Sequence, residues 1–302
     1  EILKISSMIE EGSPLSEGFA TYPETFDTLY VNLVRTGEAS GKISETLYYL
    51  SDHLERESDI ISQVRSAMIY PIFVVCVLVA VIIMVMFGVM PKIAELIKET
   101  TVKPPFFTTM MINFYDFLSH YGWLVLIAFF WLIVFIAYYF RSRDGKKRWD
   151  QLSLKLPVLG SILQKIFVIR FSENVATLIS AGLSINRALK ITEDTVDNST
   201  YKNIIKETEK QVSEGEKISF VLSRYPENIA PFVVQMVKVG EETGKLDKTL
   251  MEVVNFYQKE VKRAIDTFTT LLEPILIIVL GVIVALLAIS VLEPLYESLG
   301  TI

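Results

Sequence analysis

The chain has 302 residues, of which 51% are hydrophobic and 21% charged, with a mean hydropathy of +0.41 and a net charge of −6. This composition is too apolar for an ordinary water-soluble protein and too charged for a bundle buried wholly in lipid, so it indicates soluble modules joined to a few membrane spans. The acidic balance excludes a strongly basic nucleic-acid-binding protein, and the single cysteine, Cys76, excludes an internal disulfide.

The first segment, residues 1–66, has the pattern of a small helical module. Short helices are predicted over Leu15–Tyr22 and Phe26–Thr36, followed by a turn over Gly37–Gly41 and a long helix from Lys42. The spacing of apolar residues indicates helices here, with no pattern typical of strands.

Three uncharged apolar stretches follow at intervals along the chain, between Arg65 and Lys92, between Asp116 and Arg141, and between Glu273 and Glu293. A helix needs about 20 apolar residues to cross the hydrocarbon core of a bilayer, so each stretch qualifies. We predict transmembrane helices at 67–90, 121–140 and 273–293, a short external loop at 91–120 and an external C-terminal tail at 294–302.

A second and more complete helical module is predicted over residues 141–272, beginning with a basic linker at 141–166. The stretch Phe171–Leu189 reads as two helices separated at Gly182, with Ser184 as the cap of the second. The later helices are predicted at Ser199–Val212, Ser219–Tyr225 and Pro231–Val239, and from Lys245 onward. About six helices predict a small all-α bundle.

Lysine and arginine near the span ends predict the orientation in the membrane. They are dense after the second span, at Arg141, Arg143, Lys146, Lys147 and Arg148, and absent after Glu293. We therefore expect a multi-pass protein of the bacterial inner membrane with both modules in the cytoplasm and the C-terminus outside. The basic cluster is interpreted as facing lipid, not nucleic acid.

The two modules are copies of each other at a constant offset of 203 positions. Tyr22-Pro23-Glu24 matches Tyr225-Pro226-Glu227, and the register continues to Glu57/Glu260, Pro71/Pro274 and Pro91/Pro294. Such a repeat, with each copy leading into a membrane helix, indicates a scaffold. By this offset the first copy lacks counterparts of the first helices of the second, so we expect the natural protein to extend upstream of Glu1.

Each copy carries a Gly-Glu-x-Ser/Thr-Gly-Lys turn. A Walker A loop needs four residues between its glycines and a hydroxyl residue after the lysine; these turns have three residues, then Ile43 or Leu246. We interpret Gly37, Gly41, Gly240 and Gly244 as structural turn residues, with Ser40 or Thr243 able to cap the next helix. Two hypotheses stay open for Glu38 and Glu241: they bind nearby backbone amides, or they mark an exposed partner contact.

Three further residues lie at the predicted membrane boundary, namely Pro71, Pro274 and Glu273. Each proline either kinks its long helix at a set angle or marks where one helix ends and another begins. Glu273 is interpreted as a cap at the membrane edge. No catalytic, cofactor-binding or metal-binding constellation is predicted, because the paired carboxylates lack the spacing of a cation loop.

These motifs resemble a known family. Two modules with Pro-x-x-Phe and Gly-Glu-x-Ser/Thr-Gly-x-Ile/Leu, each followed by a span, are similar to the type II secretion protein F family, which includes platform proteins of type II secretion, type IV pili and competence systems. The stretch FSENVATLISAGLSINRAL resembles the Leu-x-x-Gly-Leu-x-x-x-x-Ala-Leu helix of that family. One departure is Ile229, which stands where the first copy has Phe26.

The resemblance implies a non-enzymatic inner-membrane platform that couples a hexameric cytoplasmic ATPase to the insertion of pilin or pseudopilin subunits. It also implies contact with other inner-membrane assembly components and with lipid, a homo-oligomeric state, and no direct binding of nucleic acid. The alternatives are a membrane transporter or channel subunit, favoured by the spans alone, and a membrane-anchored receptor. The sequence does not separate secretion from piliation or DNA uptake.

Overall fold

A computed structural model describes residues 1–89, 91–92, 95, 106–156 and 159–299. All regular structure in these ranges is helical, which confirms the all-α prediction. The helices are α1 (Ile2–Glu10), α2 (Leu15–Ala20), α3 (Thr28–Ser40), α4 (Ile43–Met84), α5 (Phe106–Arg141), α6 (Arg143–Lys155), α7 (Leu159–Ser180), α8 (Ile185–Thr195), α9 (Ser199–Ser213), α10 (Ile218–Leu222), α11 (Pro231–Thr243) and α12 (Leu246–Leu299). A π-helical turn, Val85–Val89, follows α4.

Local chemistry explains where several of these helices begin. The Asp27 carboxylate accepts the N–H of Tyr30 at 2.9 Å and caps α3, and the Asn198 side chain caps α9 by accepting the N–H groups of Thr200 and Tyr201. Pro231 occupies the first turn of α11, where its missing N–H costs nothing. Ser184 precedes α8 as predicted, but its side chain makes no capping hydrogen bond.

The repeat seen in the sequence also governs the backbone. Helices α2 and α10 begin 203 positions apart, α3 and α11 share both of their ends at that offset, and α4 and α12 begin at equivalent residues. The glycine turns agree as well, since Gly12 and Gly215 have φ of +95° and +98°. The two copies therefore fold in the same way from α2 to the start of the long helix.

Both repeat modules belong to one compact unit, made of residues 1–63 and 143–265, whereas the described parts of 64–142 and 266–302 form a second unit. The prediction of two homologous helical bundles is therefore not confirmed, since both copies lie in this one unit. The core of the first unit is shared: Leu29, Leu33 and Leu50 of the first copy pack with Leu178 and other apolar side chains of the second. The hydrophobic cores of the two modules are thus continuous.

Helix α7 is the physical reason for this shared core. Every side chain from Phe171 to Leu178 is buried, including the polar side chains of Ser172, Glu173, Asn174 and Thr177. Residues of the first copy supply part of this cover, because Leu178 packs with Leu29 and Leu33 and Glu173 pairs with Arg56. Helix α7 is therefore the central helix of the unit that both copies share.

Two helical stretches, Ile43–Val89 and Leu246–Leu286, are long and apolar enough to cross a membrane, and the most apolar windows within them are 6% and 0% buried by the protein itself. Two halves of α5, Ile112–Val125 and Ile127–Phe140, are together also long and apolar enough to cross a membrane, but they meet at a bend of 44°. A further bent pair combines Gly145–Lys155 with α7, although α7 is covered by protein side chains. The chain is therefore rich in candidate spans, and the number three stays a prediction.

Element boundaries differ from the predicted ones in three places. Helix α5 starts at Phe106, inside the predicted loop, and most of the rest of that loop lies outside the described residues. The predicted basic linker is largely helical, because α6 and the start of α7 occupy it. Helix α12 continues to Leu299 through most of the predicted tail, of which residues 300–302 lie outside the described residues.

The two boundary prolines lie inside unbroken helices. Pro71 is within α4 and Pro274 is within α12, and Glu273 is an interior residue of α12. A helix that ends and begins again at these positions is therefore excluded, as is a cap at Glu273. Each proline removes one backbone hydrogen bond from the helix that contains it.

Candidate functional site

The predicted glycine turn separates into two structural roles. Gly41 and Gly244 end α3 and α11 in the left-handed region, with φ of +70° and +68°, where a side chain is disfavoured. The prediction of left-handed turn residues holds for these two glycines. Ser40 and Thr243, just before them, donate to carbonyls of their own helix instead of capping the next one, so that expectation is wrong.

Gly37 and Gly240 are not turn residues, because they lie within α3 and α11. They allow close approach of the following helix. A Cβ atom added at Gly240 would lie 2.9 Å from Cα of Leu246, and one added at Gly37 would lie 3.3 Å from Cα of Ile43. The side-chain hydroxyls of Thr46 and Thr249 lie even closer to these two positions, so side chain and backbone of the long helix together limit the space at each glycine.

Glu38 and Glu241, which are equivalent residues of the two repeat copies, each bind the first turn of a short helix. The Glu38 carboxylate accepts the N–H groups of Leu15 and Ser16 at 2.6 and 3.2 Å. The Glu241 carboxylate accepts the N–H groups of Ile218 and Ser219 at 2.5 and 3.3 Å. A carboxylate at a helix N-terminus satisfies free amides and complements the helix dipole. The hypothesis that these glutamates bind nearby backbone amides thus describes their geometry. The alternative, an exposed partner contact, stays a prediction.

A charged cluster joins α4 of the first copy to α7 of the second. The buried Glu173 carboxylate on α7 accepts a hydrogen bond from Nε of Arg56 at 2.6 Å and lies 3.2 Å from Nδ1 of His53. Arg56 also pairs with Asp52, one turn earlier on α4. Sequence reasoning missed this cluster, although the acidic Glu173 within an apolar helix was a signal for it.

Burial and charge act in opposite directions on the two titratable members of this cluster. Burial disfavours the ionised carboxylate of Glu173, but hydrogen bonding and charge from His53 and Arg56 outweigh burial and lower its pKa. Burial also disfavours the protonated ring of His53, yet the interaction with Glu173 prevails and raises the pKa of His53 above 6.5. Each group therefore stabilises the charged form of the other.

Two further ion pairs hold α7 from its two sides at repeat-equivalent positions. Glu57 on α4 accepts from Arg170 at 2.8 Å, and Glu260 on α12 accepts from Lys165 at 3.3 Å. Glu57 and Glu260 are 203 positions apart, and both bases lie on α7. The long helices of the two copies thus contact one central helix through the same position of the repeat.

The two copies differ in one exposed feature, which we call the aromatic face: Phe232 on α11 and Phe256 on α12. Their ring centroids are 4.6 Å apart, and both side chains are exposed. The equivalent residues of the first copy, Leu29 and His53, are covered because α7 and α8 pack against α3 and α4. The first copy therefore buries the face that the second copy leaves open.

Within the described residues, no group of three or more His, Cys, Asp or Glu side chains is arranged to hold a metal ion. The distinctive elements of the candidate site are the capping glutamates, the central helix α7 with its charged partners, and the aromatic face.

Comparison with known proteins identifies the family. The family described as type II secretion system (T2SS), protein F matches residues 1–91 and 171–294. The chain belongs to this family. The two matched segments end at Pro91 and Pro294, which are 203 positions apart, so each copy of the repeat in this T2SS protein F family member is matched separately.

Named relatives of this T2SS protein F family member are similar over nearly its whole length. The type IV pilus assembly protein PilC of Thermus thermophilus is 35% identical over 303 residues, which cover 100% of this chain and 74% of the relative. PilC of Pseudomonas aeruginosa is 31% identical, covering 97% of this chain and 79% of the relative. The type II secretion system protein F of Aeromonas hydrophila is 26% identical, covering 98% and 76%.

Proposed function

We propose that this protein is a non-enzymatic platform of the bacterial inner membrane that takes part in assembling type IV pili or type II secretion pseudopili. Its relatives are named for pilus assembly and for type II secretion, and it belongs to their family. The proposal includes coupling of a cytoplasmic ATPase to the insertion of pilin subunits, with energy supplied by the ATPase. It also includes three spans, cytoplasmic modules and an external C-terminus.

One observation carries the mechanical part of the proposal. The first-copy and second-copy modules share the central helix α7, and the long helices α4 and α12 each continue without a break into an apolar stretch. Both helices stay continuous through Pro71 and Pro274, and packed cores respond by discrete repacking more than by continuous deformation. A partner that displaces the shared unit would therefore shift α4 and α12 together.

Self-association belongs to the same proposal, with a second copy of this chain as the occupant of the aromatic face. The repeat supports this, since the equivalent face of the first copy is covered by a helix pair, α7 and α8. Exposed aromatic pairs are typical anchors of protein interfaces. A helix pair of a second copy would cover Phe232 and Phe256 in a similar manner.

Recovery of partners from native membranes tests the function. We expect a secretion or pilus ATPase and pilin-like proteins to be recovered with the tagged protein, and fibre assembly to fail in its absence. Solute flux through liposomes that contain only the purified protein would instead support the transporter alternative. Ligand-dependent change confined to the cytoplasmic unit would support a receptor.

The partner-contact hypothesis for Glu38 and Glu241 needs a test that separates it from helix capping. Lysine at both positions, with protein levels held normal, should impair fibre assembly. Asp27→Ala is the matched control, because it removes a helix cap elsewhere in the first copy. If it impairs assembly equally at equal stability loss, the glutamates act by capping alone.

A further inference from the structure

The second copy contains a polar cleft with a volume of about 160 Å³. Its walls are helix α7, the chain between α10 and α11, and helix α12, all within the first compact unit. Because the walls come from three separate elements, tertiary packing assembles the cleft. The polar side chains that line it are Ser161, Gln164, Lys165, Glu227, Asn228 and Tyr257.

Tyr257 distinguishes this cleft from an ordinary surface groove. The residue is only 7% exposed, and its ring packs with Phe232 and Phe256 at centroid distances of 6.3 and 5.3 Å. Its hydroxyl, however, makes no hydrogen bond with any residue in the part of the chain that the structure describes. A buried tyrosine hydroxyl normally has a partner. The hydroxyl is therefore available to a group that enters the cleft.

The repeat shows that the fold does not require this hydroxyl. The equivalent residue of the first copy, 203 positions earlier, is Leu54, whose side chain has no polar atom. The two copies nevertheless share the same helices from α2 to the start of the long helix. Burial and the charge of Glu260 raise the pKa of Tyr257, so its hydroxyl keeps the proton at neutral pH and can donate it in a hydrogen bond.

Other side chains of the cleft also have unused hydrogen-bond donors. The side chains of Ser161, Gln164 and Asn228 make no hydrogen bond with another described residue. Lys165 uses one of the three N–H donors of its ammonium group, in the pair with Glu260. Together with the tyrosine hydroxyl, donors from five side chains thus line one cleft.

The charges around the cleft limit the kind of ligand that fits. Lys165 and Arg263 share the carboxylate of Glu260, which leaves one positive charge, and the exposed Glu227 is the one acid among the described lining residues. A carboxylate carries one charge and about four acceptor positions, which suits several neutral donors and one ammonium group. A phosphate carries nearly two charges, for which the described lining residues offer no second cation.

We propose that the cleft binds a single carboxylate, carried by a Glu or Asp side chain of a partner protein. Tyr257, Gln164 and Asn228 donate to this carboxylate, and Lys165 adds a charge-assisted hydrogen bond. A protein partner is favoured because Tyr257 also packs against the aromatic face, and exposed aromatic side chains are typical anchors of protein interfaces. The site depends neither on pilus assembly nor on a second copy at the aromatic face, since the carboxylate alone defines it.

The test uses the full chain in a neutral detergent. The probe is N-acetyl-glutamic acid amide, a peptide-like molecule with one carboxylate, and N-acetyl-glutamine amide is its uncharged match. Saturation-transfer NMR of each probe measures Kd, and competition with inorganic phosphate compares the two oxyanions. Tyr257→Phe removes only the hydroxyl. Tyr48→Phe is the matched control, because Tyr48 is 73% exposed and lies on the first copy.

We expect the carboxylate probe to bind with a Kd of about 1 mM. Tyr257→Phe should raise this Kd about tenfold, which is the lower end of the effect of one hydrogen bond to a charged group, and Tyr48→Phe should leave it unchanged. Tyr257→Phe should not lower the midpoint of thermal unfolding, because the lost hydroxyl has no partner within the described unit. No binding of the carboxylate probe, equal binding of its uncharged match, tighter binding of phosphate, or equal Kd values for the two tyrosine variants would each overturn the proposal.

Discussion

Glu173 and Glu57 provide a matched pair for measuring what joins the two copies. Each carboxylate pairs with an arginine between α4 and α7, but the Glu173 and Arg56 side chains are 4% and 19% exposed, whereas those of Glu57 and Arg170 are 39% and 41% exposed. Removing one member of a buried pair costs about 3–5 kcal/mol, because the other charge is left without compensation. An exposed pair contributes about 0–1 kcal/mol.

We expect Glu173→Gln to cost about 3 kcal/mol, at the lower end of that range, because Arg56 keeps its contact with Asp52. Glu57→Gln should cost less than about 1 kcal/mol. The low pKa of Glu173 keeps its carboxylate ionised at neutral pH, so its contribution is fully present there and is lost only as the pH falls through that pKa. The measurement belongs near pH 7.

Hydrogen exchange of the α7 amides, read by mass spectrometry on the full chain in detergent, is the assay. About 3 kcal/mol corresponds to roughly 100-fold faster exchange for Glu173→Gln, against less than about fivefold for Glu57→Gln. Replacing both Glu173 and Arg56 by methionine should recover most of the loss, since neither charge is then left unpaired. Equal and small effects of the two glutamine substitutions would refute the assignment of this cluster as the main polar link between the copies.

Three other predictions follow from the same structure. Gly240→Ala should lower the free energy of unfolding by about 1–3 kcal/mol in thermal or denaturant unfolding, because its Cβ meets the hydroxyl of Thr249 and the backbone of Leu246. Gly281→Ala, which has open space, should change this free energy little, and equal effects of the two substitutions would exclude close packing as the cause. Because the pKa of His53 is raised above 6.5, the stability that His53 contributes is complete below about pH 6.5 and is lost as the pH rises through the pKa of the folded protein. His53→Gln should therefore flatten the dependence of the urea midpoint on pH over that window, and an unchanged slope would contradict this prediction. Serine at both Phe232 and Phe256 should shift the purified protein toward the monomer in light scattering, and retention of the oligomer would argue against a second copy on the aromatic face.

Local signals were enough for much of the helical plan. Pro231 at a first turn and left-handed Gly244 act through neighbouring residues, so the start of α11 is predicted at the residue where it lies, whereas α3 and α11 end at Ser40 and Thr243 and not at the predicted Thr36 and Val239. The predictions that failed depend on packing against other helices, which local sequence does not indicate. Gly240 was assigned to a turn because a glycine needed for close packing looks the same in sequence as one needed for a positive φ.

The roles of the charged residues depend on contacts between residues that are far apart in the sequence, by more than twenty positions in one case and more than one hundred in another. Glu241 reaches the amide of Ile218, and Glu173 reaches Arg56, which no pattern of local spacing indicates. Glu173 could have been suspected as an acidic residue in an apolar stretch, but its partner could not be named. Equivalence under the offset did identify Glu57 with Glu260, and the structure supplied their bases on α7.

The sequence by itself determined that the described part of the chain is all-helical and that the chain is internally repeated and rich in candidate membrane spans, because periodicity, apolar length and a constant offset are properties of neighbouring or aligned residues. Only the tertiary structure decided that the two copies form one unit around α7. A central helix is defined by what covers every side of it, and that cover comes from residues distant in the chain. The same physical reason explains why two copies of one repeat bury Leu29 in the first copy and expose Phe232 at the equivalent position of the second.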